Sequence, residues 1–185
     1  MINATQIRKG MLIKMDDIPY IVLKVSHITP GKGRAFVQCV LRDLQSGFSK
    51  EVRFRSNERV EETEIELVEM EYIYSADNLF YFMDLETYEQ IPLDTDLIED
   101  AGKFLQPNTK VRVEFYEGKP FGIILPKHIT LRVVETQVYI KEATAQAQSK
   151  PAQVEGGHTC QVPPFVEVGD MIKINTETGE YVERT

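Results

Sequence analysis

Tryptophan is absent from this 185-residue chain, and there are only two cysteines and three histidines. Cys39 and Cys160 stand far apart, which excludes a disulfide framework, and each reads as a reduced thiol in a strand. His27, His128 and His158 are isolated, without the spacing that metal ligands share, so no metal or other cofactor is expected. No apolar run approaches the ~18 residues of a membrane-crossing helix. The opening Met1-Ile2-Asn3-Ala4-Thr5 has no apolar core of a secretory signal. A cytoplasmic protein without membrane partners is the expectation. Enzyme signatures are missing as well: there is no nucleophile–base pair, no ligand cluster and no nucleotide loop. Asp94 and Asp96 are better explained as a helix cap than as a carboxylate pair.

What the chain does have is an uneven charge. The net value of −8 divides into +4 over residues 1–62, −10 over 63–125 and −2 over 126–185. Contact with nucleic acid should therefore be led by the first segment.

Short β-branched and aromatic runs separated by turn residues dominate, which predicts an all-β chain. Met11–Met15, Ile18–Val25, Ala35–Leu41 and Ser49–Arg55 read as strands of a small SH3-like barrel, residues 1–62. In the last of these, Lys50, Arg53 and Arg55 are cationic, while Val52 and Phe54 suit a core. Residues 56–63 are polar and read as a turn at a boundary. A second barrel, of OB type, is predicted over 63–126. Its strands are expected over 65–74, 79–83, 88–93, 110–116 and 120–125, with a helix over 94–105. Tyr72, Tyr74, Phe80, Tyr81 and Phe82 could stack on bases, but in so acidic a module they read as core and sheet-face aromatics. A third OB-like barrel is predicted over 127–185, with strands at 129–136, 162–166, 170–174 and 179–182 and an exposed loop over 143–151. Small barrels are individually marginal. The first two are expected to share an interface, and the third to be hinged.

The most distinctive stretch is Thr29-Pro30-Gly31-Lys32-Gly33-Arg34, between two strand-like runs. Pro30 resists joining a sheet, and Gly31 and Gly33 strip bulk from both sides of Lys32. The result is one long cation on a bare tip, with Arg34 behind it. This is no Walker loop, because Gly33 follows the lysine and a strand follows Gly33. It is no catalytic lysine either, since a glycine-flanked tip has no apolar walls to lower a pKa. It suits contact with something anionic. Arg53 and Arg55 are candidate contacts to an RNA backbone on the same electrostatic ground.

These residues resemble the bacterial translation elongation factor P family over essentially the whole chain. The Pro30-Gly31-Lys32-Gly33 tip with Ala35-Phe36 carries the likeness. So do Ala101-Gly102-Lys103-Phe104-Leu105 with Phe115-Tyr116-Glu117-Gly118, and the ending Gly169-Asp170-Met171-Ile172-Lys173-Ile174-Asn175-Thr176-Glu177-Thr178-Gly179-Glu180-Tyr181-Val182. The resemblance implies an L-shaped, tRNA-mimicking, non-enzymatic monomer of three barrels. It implies binding to the 70S ribosome between the exit and peptidyl sites, beside rRNA and the P-site peptidyl-tRNA, and relief of stalling at consecutive prolines. By position in the motif, Lys32 would be the residue lengthened by a dedicated modifying enzyme. Where many members carry a Gly-Asp-Thr loop proposed to touch the exit-site codon, this chain has Lys141-Glu142-Ala143-Thr144. Only Thr144 matches by type, so codon contact by Glu142, Ala143 and Thr144 is the weakest part of the implied site. A paralogue of the factor, or a general single-strand-binding OB protein, are the alternatives; the tip favours the factor.

Overall fold

A computed structural model describes residues 1–31, 33–138 and 149–185. Met1–Glu66 form one compact unit and Leu67–Thr185 another.

The first unit is a six-stranded antiparallel sheet in the order β1-β6-β2-β3-β4-β5. Its strands are β1 (Ile2–Asn3), β2 (Leu12–Met15), β3 (Ile18–Ile28), β4 (Phe36–Asp43), β5 (Ser49–Arg55) and β6 (Arg59–Thr63). Alternation along β4 explains the curl. Val37, Cys39 and Leu41 point inward onto Ile7, Ile13 and Val22, while Phe36, Gln38 and Val40 point out. The stretch expected as a turn at 56–63 instead holds β6, which pairs with both β1 and β2. Only Val60 of that strand is buried, so its sequence lacks the apolar alternation that marks a strand.

The second unit holds two five-stranded sheets, ordered β11-β10-β7-β8-β9 and β14-β13-β12-β15-β16. The first contains β7 (Glu66–Ala76), β8 (Leu79–Asp84), β9 (Gln90–Asp94), β10 (Lys110–Tyr116) and β11 (Lys119–Ile124). The second contains β12 (His128–Thr136), β13 (Lys150–Val154), β14 (Thr159–Val162), β15 (Met171–Asn175) and β16 (Tyr181–Arg184). The chain is all-β, as its patterning predicts.

Other expectations change too, and the strand expected over 162–166 is instead β14, which ends at Val162. The helix over 94–105 is one α-turn, Thr95–Ile98, capped by the Asp94 carboxylate accepting from the Asp96 N–H, and then a 3₁₀ stretch, Glu99–Phe104. Glu99, at φ 50°, breaks the helical run between them. The third module is not hinged on the second. Phe104 enters the core formed by Leu131, Val133, Val154 and Ile172, and Leu125 packs against both cores. The Phe104 ring sits 4.8 Å from that of His158, which is bonded through Nε2 to the Gly179 carbonyl at 2.7 Å.

One turn recurs in every sheet. The side-chain oxygens of Asp43, Asp84 and Asn175 each accept two backbone N–H groups, from residues two and three further on. The fifth position has positive φ each time: Gly47 at 74°, Tyr88 at 61° and Gly179 at 73°. In two turns that position is glycine, which pays no steric penalty there; in the third it is tyrosine.

Candidate functional site

The tip leaves the sheet after the last β3–β4 pair, Ile28 opposite Phe36. Seven residues, 29–35, span the gap. Lys32 lies outside the described residues; its neighbours define the site. Gly31 and Gly33 are exposed, and among the described residues nothing approaches the β-carbon position of Gly31 within 4 Å. Gly33 has φ +131°, and a β-carbon there would lie 3.4 Å from Pro30 Cγ. A side chain at position 33 would therefore be strained by its backbone angle, with its β-carbon in ordinary contact with the proline. The tip is narrow because of what it omits. Ser56 Oγ donates to the Ala35 carbonyl at 2.7 Å, fastening the base of the loop to the β5–β6 connection. Arg34 is exposed beside it.

Behind the tip, β4 and β5 present one outward face. Phe36 stands opposite Arg55, and Gln38 opposite Arg53. The Arg53 guanidinium lies over the Phe36 ring, 5.3 Å from its centroid, which props the cation upright on the surface. Among the described residues, Arg34, Arg53 and Arg55 form no ion pair with a carboxylate. Their charge is available to an outside anion. Lys50, which the sequence grouped with them, belongs elsewhere: it lies on the Val52–Phe54 face, over the Tyr20 ring and bonded to the Tyr20 hydroxyl at 2.8 Å.

The other sequence-predicted site residues, Glu142, Ala143 and Thr144, lie outside the described residues. Their segment begins and ends at a clamp the sequence does not advertise. Lys150, buried, donates to the Gln137 carbonyl at 2.7 Å, and Thr136 Oγ1 donates to the Pro151 carbonyl at 2.9 Å.

Among the described residues, no three His, Cys, Asp or Glu side chains converge as a metal site. Cys39 and Cys160 are free, buried and in separate sheets, and burial pushes both thiols up, away from the reactive thiolate. Among the described residues no helix is long and apolar enough to cross a membrane.

Comparison with known proteins agrees with this arrangement module by module. The sequence model described as the Elongation factor P (EF-P) KOW-like domain matches residues 3–60, the Elongation factor P (EF-P) OB domain matches 65–123, and Elongation factor P, C-terminal matches 129–184. Proteins named elongation factor P are similar along their full length. That of Thermoanaerobacter sp. (strain X514) is 47% identical over 184 residues, covering 100% of both chains. That of Caldanaerobacter subterraneus subsp. tengcongensis is 45% identical over the same span with the same coverage. That of Gemmatimonas aurantiaca is 40% identical over 182 residues, covering 98% of this chain and 97% of the relative. With three domain matches in order and full-length relatives at this identity, the chain belongs to the elongation factor P family, whose members are non-enzymatic translation factors.

Proposed function

We propose that this chain binds the ribosome between the exit and peptidyl tRNA sites and speeds peptide-bond formation at consecutive prolines. Lys32, lengthened by a modifying enzyme, reaches the end of the peptidyl-tRNA. The observation that carries this reading is the shape of the tip. Two glycines flank position 32, one in open space and one at a backbone angle that disfavours a side chain, and the loop base is tied at Ala35. Such a hairpin can enter a crevice that a broader loop cannot.

The mechanism is positional. Proline reacts poorly because its ring restricts approach and a prolyl peptide holds the tRNA end badly. Donors on the lysine side chain bond the terminal nucleotides and restrict their motion, and the ribosome performs the reaction. Orientation of this kind can lower a barrier by up to roughly 7–11 kcal/mol. Arg34, Arg53 and Arg55 supply a salt-dependent attraction to RNA phosphates.

The test is Lys32→Ala in a translation assay that reports synthesis through a proline run. Folding should be unchanged, because the tip has little to pack against, and rescue should be lost. Normal rescue by a folded variant would remove the tip from the mechanism. Peptide mass spectrometry across residues 25–42 of native protein should show added mass on Lys32 and no tryptic cleavage after it.

A further inference from the structure

The second sheet carries a feature that the tip does not explain. A β-bulge on β7 shifts the register so that Tyr72 opposes Phe82 while Tyr74 opposes Tyr81. Tyr72 and Phe82 are core residues. The extra residue, Ile73, turns Tyr74 to the opposite side of the sheet. There its ring stacks on Tyr81, with centroids 4.5 Å apart and planes at 11°, and Tyr81 stands opposite Pro92 on β9. Tyr74 is 45% exposed. The solvent face of β7, β8 and β9 thus holds a stacked tyrosine pair whose outer ring faces remain for a partner. Glu71, opposite Met83, flanks it, and Glu69 is next along the same face.

Three other aromatic rings in this protein carry a cation of the chain's own. Arg53 covers Phe36, Lys50 covers Tyr20 and Arg184 covers Phe165. Among the described residues, the Tyr74–Tyr81 pair has none. No Lys or Arg occurs in the sequence from Val60 to Gly102, a stretch that carries 14 Asp and Glu, and the cations nearest in the sheet, Lys110 and Arg112, stand on β10, the other neighbour of β7. An RNA partner would meet those carboxylates as repulsion. Guanidinium groups, by contrast, stack on ring faces and pair with carboxylates at once. Pro92 has no N–H to donate along the edge strand β9, which discourages strand addition, so side chains would make the contact.

We propose that the Tyr74–Tyr81 face of the second sheet docks an arginine- and lysine-rich protein segment, with arginine stacked on the tyrosines and neighbouring bases paired to Glu69 and Glu71. This surface does not involve Lys32, so its test leaves the tip reading untouched. Isotope-labelled full-length protein is titrated with a short oligoarginine peptide, a matched oligoglutamate peptide and a single-stranded RNA oligonucleotide. The expected result is amide shifts concentrated on β7, β8 and β9 with oligoarginine alone. Tyr74→Ala should weaken binding about fivefold, equivalent to ~1 kcal/mol, while Tyr74→Phe, which keeps the ring, should bind as the parent does. Glu69→Gln with Glu71→Gln should weaken it comparably. Shifts scattered over acidic residues generally, with Tyr74→Ala unaffected, would reduce the effect to net charge and overturn the proposal. Absence of oligoarginine binding, or RNA shifting this face, would overturn it equally.

Discussion

Gly156 lies so close to the carbonyl oxygen of Lys103 that a β-carbon on it would sit 2.2 Å from that oxygen. This contact joins the 3₁₀ stretch of the second module to the turn between β13 and β14 in the third. Gly156→Ala should therefore cost roughly 2–4 kcal/mol, combining the left-handed backbone penalty with overpacking against an immobile carbonyl. Gly10 is the control. It has the same φ of +85° with nothing within 4 Å, so Gly10→Ala should show the backbone penalty alone, about 1–2 kcal/mol. Equal losses in urea denaturation would mean that the joint yields without strain.

Tyr88 occupies the turn position that is glycine in the two sister turns, and the residue is 72% exposed. Little packing is at stake. Tyr88→Gly should raise stability by about 0.5–1 kcal/mol, the relief at positive φ exceeding the added flexibility of the unfolded chain. A higher urea midpoint with an unchanged slope is the expected readout. A loss would show that the exposed ring makes a stabilising contact.

Glu114 is half-buried on β10, and burial raises its pKa, with Arg112 offsetting part of the effect. A raised folded-state pKa stabilises the fold below the unfolded value and loses that contribution as pH rises through the folded value. Glu114→Gln should therefore be more stable than the parent at neutral pH. The advantage should close as pH falls below roughly 4.3, where the unfolded carboxyl is protonated too. An offset independent of pH would assign the effect to packing.

Arg55 and Arg53 bear on the proposed ribosome contact. If each neutralises one phosphate, Arg55→Ala or Arg53→Ala should flatten the slope of log affinity against log salt by about 0.7–0.9. Phe36→Leu removes the prop under Arg53 without changing charge. It should weaken binding and leave the slope alone. Unchanged slopes in both arginine variants would take these side chains out of the interface.

Much of this was legible in the residues. Alternation on β4 and β5 and the Pro/Gly cluster locate the tip hairpin, because period-two burial and glycine punctuation are local signals. The clamp at Lys150 was not legible. A lysine followed by Pro151 looks like loop, and only a carbonyl 13 residues earlier makes its burial tolerable. β6 was missed because its polar residues gain order from two neighbouring strands, not from their own pattern. The direction of Lys50 has a similar origin: its charge suits solvent, but position parity with Val52 and Phe54 sets where it points. The outward turn of Tyr74 depends on a bulge, which leaves almost no mark in sequence.

Leu125 packs against two cores and Phe104 is built into the neighbour of its own. The family's three-domain description therefore does not count its melting units. The second and third modules should unfold as one cooperative event, with their slowest amides exchanging at a common rate, while Met1–Glu66 keeps a rate of its own. A fragment cut after Pro126 would expose Phe104 and lose partners of Leu125, making the second module on its own sticky and metastable.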